Sequence, residues 1–313
     1  MSSHNMSLES LLAGDIHESR SEESSILDVA DSFNEVVCAA EALIFCVDSN
    51  AFKREVFSSE SGVANFISAI GKFLIQLISA ISQFLRNLGN YIRGRGWNNP
   101  GSLKTLQDNI LKGTLNFKKL NSADQLKILN AMSGMKLVFI NPNEFNVARG
   151  MATEANNLGE NLHVKIMAIL EDAIKNEETQ MATVLELNTQ VKNKATVAVE
   201  EIKKVSTHTL NENDLNGMIG FLEKTNVLND YPKEIERIKK ELSVNQSRLG
   251  VLQRQSNSFG QKFSESKDDI AVALQKSCAA VAEVVHVNMM LMKILADTMN
   301  SVEKLANVML TIQ

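Results

Sequence analysis

Residues 64–94 read ANFISAIGKFLIQLISAISQFLRNLGNYIRG, and the class of fold is decided there. From just ahead of that stretch, Val63, Phe66, Ile67, Ile70, Phe73, Leu74, Leu77, Ile78, Ile81, Phe84, Leu85, Leu88 and Tyr91 recur at steps of three and four. This spacing stacks apolar side chains along one side of an α-helix, whereas a strand would need strict alternation. The other side offers Ser68, Gln76, Ser79, Ser82, Gln83 and Asn87 with four cations, Lys72, Arg86, Arg93 and Arg95. No Asp or Glu occurs between Ser61 and Gln107. A broad apolar face beside a thin cationic one suits an anionic membrane surface or a deep helix–helix contact. The absence of acid favours a target outside the chain's own fold. Phe66, Ile70, Phe73, Leu77, Ile81, Phe84 and Leu88 then form the membrane or partner contact, and Lys72, Arg86, Arg93 and Arg95 the basic one. The stretch is long enough to span a bilayer, yet its internal Lys72 and Arg86 fit better with lying in the interface.

Charge is segregated along the chain. Residues 1–60 hold twelve acids against Arg20, Lys53 and Arg54, a balance of −9, while residues 61–107 carry +5. The remainder is nearly neutral, so the overall −5 hides a gradient. An acidic leader ahead of a cationic helix can mask it electrostatically. The overall sign argues against the whole protein being a DNA-binding surface.

At 313 residues with three prolines and long tracts rich in Ala, Leu, Glu, Lys, Asn and Met, the chain reads as all-α. The expected architecture is an elongated bundle of long helices with coiled-coil-like packing, an N-terminal amphipathic helix and at most a minor strand. Residues 1–24 form a disordered acidic leader, and 25–60 an acidic helical segment with Val29, Phe33, Val36, Val37, Ala40 and Leu43 on one face. Residues 61–101 hold the cationic helix, closed by Gly94-Arg95-Gly96-Trp97-Asn98-Asn99-Pro100-Gly101. Residues 102–151 are a mixed connector, with a short helix over 123–132 behind an Asn121/Ser122 cap and a strand at 135–140.

Residues 152–313 make the long-helix bundle. One helix of about 48 residues, roughly 70 Å long, runs from near Leu158 to Val205. A shorter piece covers 214–227 and ends before Tyr231-Pro232. The stripe Ile235, Ile238, Leu242, Asn245, Leu249, Leu252, Ser256, Phe259, Phe263, Ser266, Ile270 alternates three and four; its polar members fix register. The last stripe runs through Leu274, Cys278, Val281, Val285, Asn288, Met292 and Leu295.

Chemistry-bearing constellations are few. Glu160/His163 and Glu283/His286 repeat a Glu-x-x-His spacing that bundle metal sites use, with Glu41 and Glu186 as further carboxylates. Both pairs fall off the core stripes, whereas ligands of a bundle metal site must point inward, so neither metal nor cofactor is expected. Cys38, Cys46 and Cys278 read as reduced core thiols. Met289, Met290, Met292 and Met299 read as core filler, with a soft partner surface as the alternative. Arg93, Arg95 and Trp97 suit either a phosphate or headgroup contact or a solvated helix end. No nucleophile–base pair or phosphate loop stands out, so no enzyme activity and no small-molecule substrate are expected. No secretory signal opens the chain.

The order EALIFCVDSN (41–50), then Ser58-Ser59-Glu60, then residues 64–94 and a long helical remainder resembles the internal head and virion structural proteins of giant tailed bacteriophages. In that family, acidic propeptides are trimmed after a small-x-Glu sequence by a prohead protease, and mature proteins pack with DNA or are ejected into the host. The resemblance implies a virion location after assembly in the host cytoplasm, and cleavage between Glu60 and Ser61, with Ser58 at the small position; Ser21-Glu22-Glu23 matches the same pattern equally well. It implies other virion proteins, packaged DNA, an anionic membrane or a homo-oligomer as partners. Two other readings stand beside it: an α-helical pore-forming toxin or secretion translocator, and a coiled-coil scaffold.

Overall fold

The computed structural model describes residues 16–48, 62–132, 140, 142–171, 177–204, 227–262 and 268–310. Those residues form an all-α fold of eight helices, with no strand among them. In chain order they are α1 (Ile16–Asp48), α2 (Gly62–Gly94), α3 (Pro100–Lys119), α4 (Ser122–Met132), α5 (Pro142–Glu171), α6 (Glu177–Lys204), α7 (Val227–Lys262) and α8 (Asp268–Leu310).

The organising element is α8, 43 residues and therefore about 65 Å long at 1.5 Å per residue. Ala, Val, Met and Leu line most of its circumference, leaving a narrow exposed edge at Lys276, Lys293 and Lys304, and a helix with so wide an apolar face belongs in a core. It packs against α1, α2, α3, α5, α6 and α7. Val281, Val284, Val285, Val287, Met289, Leu291, Met292 and Leu295 are all buried. The stretch Val272–Val308, of mean hydropathy 1.6, is long and apolar enough to cross a membrane by length and composition. Here 72% of it lies buried, wrapped by helices that each give it one face.

α2 is helical across the predicted stretch, and its apolar side is covered by α1, α7 and α8. Phe33 of α1 meets Phe84 edge-on at 6.4 Å between ring centroids, and Asn87 Nδ2 donates to the Asp28 carbonyl at 3.1 Å, so α1 and α2 run antiparallel. From α7, Gln246 donates to the Ile78 carbonyl at 3.0 Å and to the Ser82 hydroxyl.

The α2–α3 corner is built by its glycine. Gly96 N–H donates to Arg93 O and Trp97 N–H to Ile92 O, both at 3.1 Å, closing the helix in a Schellman arrangement. Gly96 sits at φ +69°, a region that L side chains avoid. A Cβ there would stand 2.9 Å from Ser102 Oγ. Trp97 folds back onto Tyr91 at 5.4 Å between centroids. Asn99 then caps α3 by accepting from Gly101 N–H at 2.9 Å, with Pro100 at the first helical position. Gly96→Ala is expected to cost about 1–2 kcal/mol from the backbone alone, read as a lowered urea midpoint.

Several boundaries differ from the sequence reading. α1 begins at Ile16, so helix reaches into the predicted disordered leader. The mixed connector is largely α3, α4 and the start of α5. α4 spans Ser122–Met132 as predicted, with Asn121 Oδ1 accepting from Asp124 N–H at 3.0 Å. The single long helix over 158–205 is instead α5 and α6, two helices packed on each other, with Lys194 of α6 bridging to Glu154 of α5. The ten residues 171–180 carry a thin apolar signal, and folding back lets each stripe bury against the other. Pro232 lies inside α7, where the helix was expected to have ended. It sits in the second turn, so few carbonyls lose a donor. Apart from Ile140, the predicted strand lies outside the described residues, as does the 214–226 piece.

Candidate functional site: the two faces of α2

The inner face of α2 is the first correction to the site. Ile70, Leu77, Ile81, Phe84 and Leu88, expected to meet an outside target, are each at most 1% exposed, and Phe73 is half-buried against the same core. They are enclosed because α1 and α7 carry apolar stripes of matching length and α8 supplies the third wall. Burying each such side chain contributes about 1.5–3 kcal/mol relative to exposure. Phe66 belongs to α2, but its side chain falls outside the described residues. So do Ser58, Glu60 and Ser61.

The outer face is exposed. Lys72, Gln76, Ser79, Gln83, Arg86, Asn90 and Arg93 follow one another at steps of four and three and all face solvent. They form an acid-free stripe about 31 Å long at 1.5 Å per residue. Three cations on a rigid rod, with amide and hydroxyl groups between them, suit a polyanion. Lys and Arg meet phosphates while Ser, Gln and Asn donate hydrogen bonds. Ile75 is also exposed on this helix.

Arg95 and Trp97 do not join that stripe. Arg95 pairs with Glu303 of α8 at 3.0 Å and lies over the Tyr91 ring at 5.4 Å. Trp97 is 2% exposed and donates its indole N–H to the other Glu303 oxygen at 3.2 Å. The Tyr91 hydroxyl donates to Asn300 Oδ1. Burial, outweighing the adjacent guanidinium, pushes that phenol up to about 12. This Tyr91–Arg95–Trp97–Glu303 cluster fastens the end of α2 to α8, and it replaces the expected headgroup or solvated-end role. Glu303 gave no signal in the sequence, because its partners stand more than 200 residues away.

The metal-type spacings do not converge. Glu160 pairs with Arg248 at 3.4 Å. Burial lowers the His163 imidazole, helped by Arg248, and burial also lowers His286 while raising the Glu283 carboxyl. Among the described residues no group of three or more His, Cys, Asp or Glu side chains is arranged to hold a metal ion. Cys46 and Cys278 are buried, the latter pushed up to about 12 by burial, but Cys38 is exposed and is not the core thiol expected. Met289, Met292 and Met299 are buried in the core as filler, and Met290 is partly buried against it.

A polar layer crosses the core instead. Asn156 of α5 and Asn288 of α8 exchange side-chain amide hydrogen bonds at 3.0 and 3.1 Å, and Asn245 of α7 donates to Asn156 Oδ1 at 3.1 Å. The remaining donors of Asn156 and Asn288 go to the Ala152 and Val284 carbonyls. Arg248 donates to Asn245 Oδ1 at 3.0 Å and carries the network out to Glu160. Sequence reading marked Asn245 as a register device and placed Asn288 in a stripe. It missed Asn156, which precedes the expected helix start.

No protein-family model, curated protein or solved structure matches this chain.

Proposed function

We propose that the chain is a non-enzymatic structural protein of a large tailed-phage virion. It is a helical-bundle subunit held inside or against the capsid among other virion proteins, and it meets packaged DNA through the outer stripe of α2. The observation supporting this most is the exposure of Lys72, Arg86 and Arg93 on a face without acid, while the apolar side of the same helix is covered. The likeness of residues 41–50 and 64–94 to internal virion proteins supports the setting. A buried apolar face favours a lasting subunit over a helix waiting for lipid.

The test is retention on double-stranded DNA across a salt series. Each phosphate contact adds about 0.9 to the slope of log affinity against log salt. The Lys72→Gln/Arg86→Gln/Arg93→Gln variant is therefore expected to lose about 2.7 of that slope without a change in folding. An unchanged slope, or no salt-dependent retention by the parent protein, would remove the DNA contact.

One observation favours a second reading, a pore-forming or translocator bundle: the membrane-length stretch Val272–Val308 sits at the centre, ringed by amphipathic helices. Leakage of anionic liposomes at low protein concentration, with α8 protected from an aqueous quencher, would move the conclusion there.

A further inference from the structure

We propose that the polyanion seat is a trough between α2 and α7, with Lys240, Ser243, Ser247 and Arg254 of α7 as its second wall, and that the DNA backbone lies along it. This rests on the polyanion reading of α2 and adds the side of that helix on which the backbone runs.

The direction of α7 follows from cross-helix contacts. Asn245 and Arg248 of α7 meet Asn156 and Glu160 of α5 in rising order, so those two helices are parallel. Asn156 meets Asn288, whereas a Cβ on Gly159 would meet Val284, so α8 runs opposite to both. Tyr91 and Arg95 meet Asn300 and Glu303 in rising order, which makes α2 parallel to α8 and antiparallel to α7. Gln246 is level with Ile78 and Ser82, to which it donates. Counting away from that crossing in opposite directions puts Arg254 level with Lys72, and Lys240 level with Arg86. All four are exposed.

Gln246 also marks the flank of α7 that meets α2. Ser243 lies three residues before it, and Gly250 and Arg254 follow at steps of four, so they share that flank. A Cβ on Gly250 would stand 3.9 Å from Arg254 Nη1, so the guanidinium lies back over the glycine along the seam. Glu236, near the far end, is paired with Lys239 at 2.7 Å. From Leu242 to Ser264 the sequence holds no Asp or Glu, so α7 sets a second acid-free wall beside the acid-free α2. Packed helices lie 8–10 Å apart, about one Debye length, so phosphates between them feel both files of cations.

The opposite flank of α2 repels an anion. Asn87 donates to the Asp28 carbonyl there, and Asp28, Asp31 and Glu35, at steps of three and four, stand exposed on α1. Negative charge on one border and positive on the other steers a polyanion toward α7. From Lys72 to Arg86 the trough runs about 21 Å, over which each strand of a duplex sets about six phosphates. Ser79, Ser243 and Ser247 add neutral donors between the cations. Such groups address phosphate oxygens and carry no base information, so the contact is to the backbone.

Retention of the full chain on double-stranded DNA across a salt series tests this. Lys240→Gln/Arg254→Gln is expected to lose about 1.8 of the slope of log affinity against log salt. Lys112→Gln/Lys276→Gln removes the same charge from exposed positions on α3 and α8 and should leave the slope unchanged. Asp28→Asn/Asp31→Asn/Glu35→Gln should tighten binding at low salt. If the α2 triple variant loses slope while the α7 pair does not, the DNA contact stands and the trough is overturned. A control pair that loses as much slope as the α7 pair, or an α1 variant no tighter than the parent, overturns the trough as well. No salt-dependent retention by the parent removes both readings. Weaker binding of the α7 pair to phosphatidylserine vesicles, with DNA retention unchanged, overturns it in favour of a lipid surface. Should the α7 pair lower the urea midpoint, Lys240→Arg/Arg254→Lys must keep both fold and slope, and a lost slope in that folded variant overturns the proposal.

Discussion

Phe84→Ala is expected to remove about 3–5 kcal/mol of stability, the range for truncating a fully enclosed aromatic side chain. Phe84 is 1% exposed and meets Phe33 of α1, so its removal enlarges a cavity already present at that junction. Urea unfolding followed by circular dichroism reads the loss as a lower midpoint at an unchanged slope. Arg86→Ala, two residues away on the outer face, is expected to stay within about 0.5 kcal/mol of the parent. A membrane- or partner-facing Phe84 would give the reverse pattern: near-normal stability for both variants, and a binding defect for the first alone.

Asn156→Leu carries the second large effect. Asn156 Oδ1 accepts from both Asn245 and Asn288, and its own amide donates to Asn288 Oδ1, so one substitution strands polar atoms on two other helices. Leaving a buried donor or acceptor unsatisfied costs about 1–3 kcal/mol each, so a loss of several kcal/mol is expected. Replacing Asn156, Asn245 and Asn288 together by Leu removes the stranded amides, leaves Arg248 with Glu160 as its partner, and should recover most of that loss. What the triple variant should not recover is uniqueness. The layer pins α5, α7 and α8 at one axial register, and an all-apolar version should show broadened amide spectra. A triple variant as unstable as the single one would contradict this account of the layer.

The helical class was legible because period and composition agree over most of the chain, and so were the cap of α4 and the two-faced character of α2. Its partner was not. Spacing measures how wide an apolar face is and says nothing about what covers it. The acid-free run from Ser61 to Gln107 suggested an external target, yet α1, α7 and α8 enclose Ile70, Leu77 and Ile81. The lack of acid marks the outer stripe instead, where Lys72, Arg86 and Arg93 remain exposed. Arg95 and Trp97 were misread for a related reason, since their partner Glu303 sits on α8 and only the fold brings it near. The boundary between α5 and α6 was missed because residues 171–180 contain neither Gly nor Pro. Breaker residues punctuate helices, but a chain also turns where its apolar stripe thins out. Asn156 escaped notice as an isolated polar residue in a polar stretch, and only contact with Asn245 and Asn288 gives it a role.

Everything above depends on α2 being an internal wall of its own bundle in the resting protein. Native-state amide hydrogen exchange on the isolated chain tests this most directly. The amides of residues 74–92 are expected to exchange only through near-global unfolding, with protection matching that of residues 281–302 in α8. Rapid exchange across residues 74–92 while α8 stays protected would contradict it, and would return the apolar face of α2 to a target outside the chain.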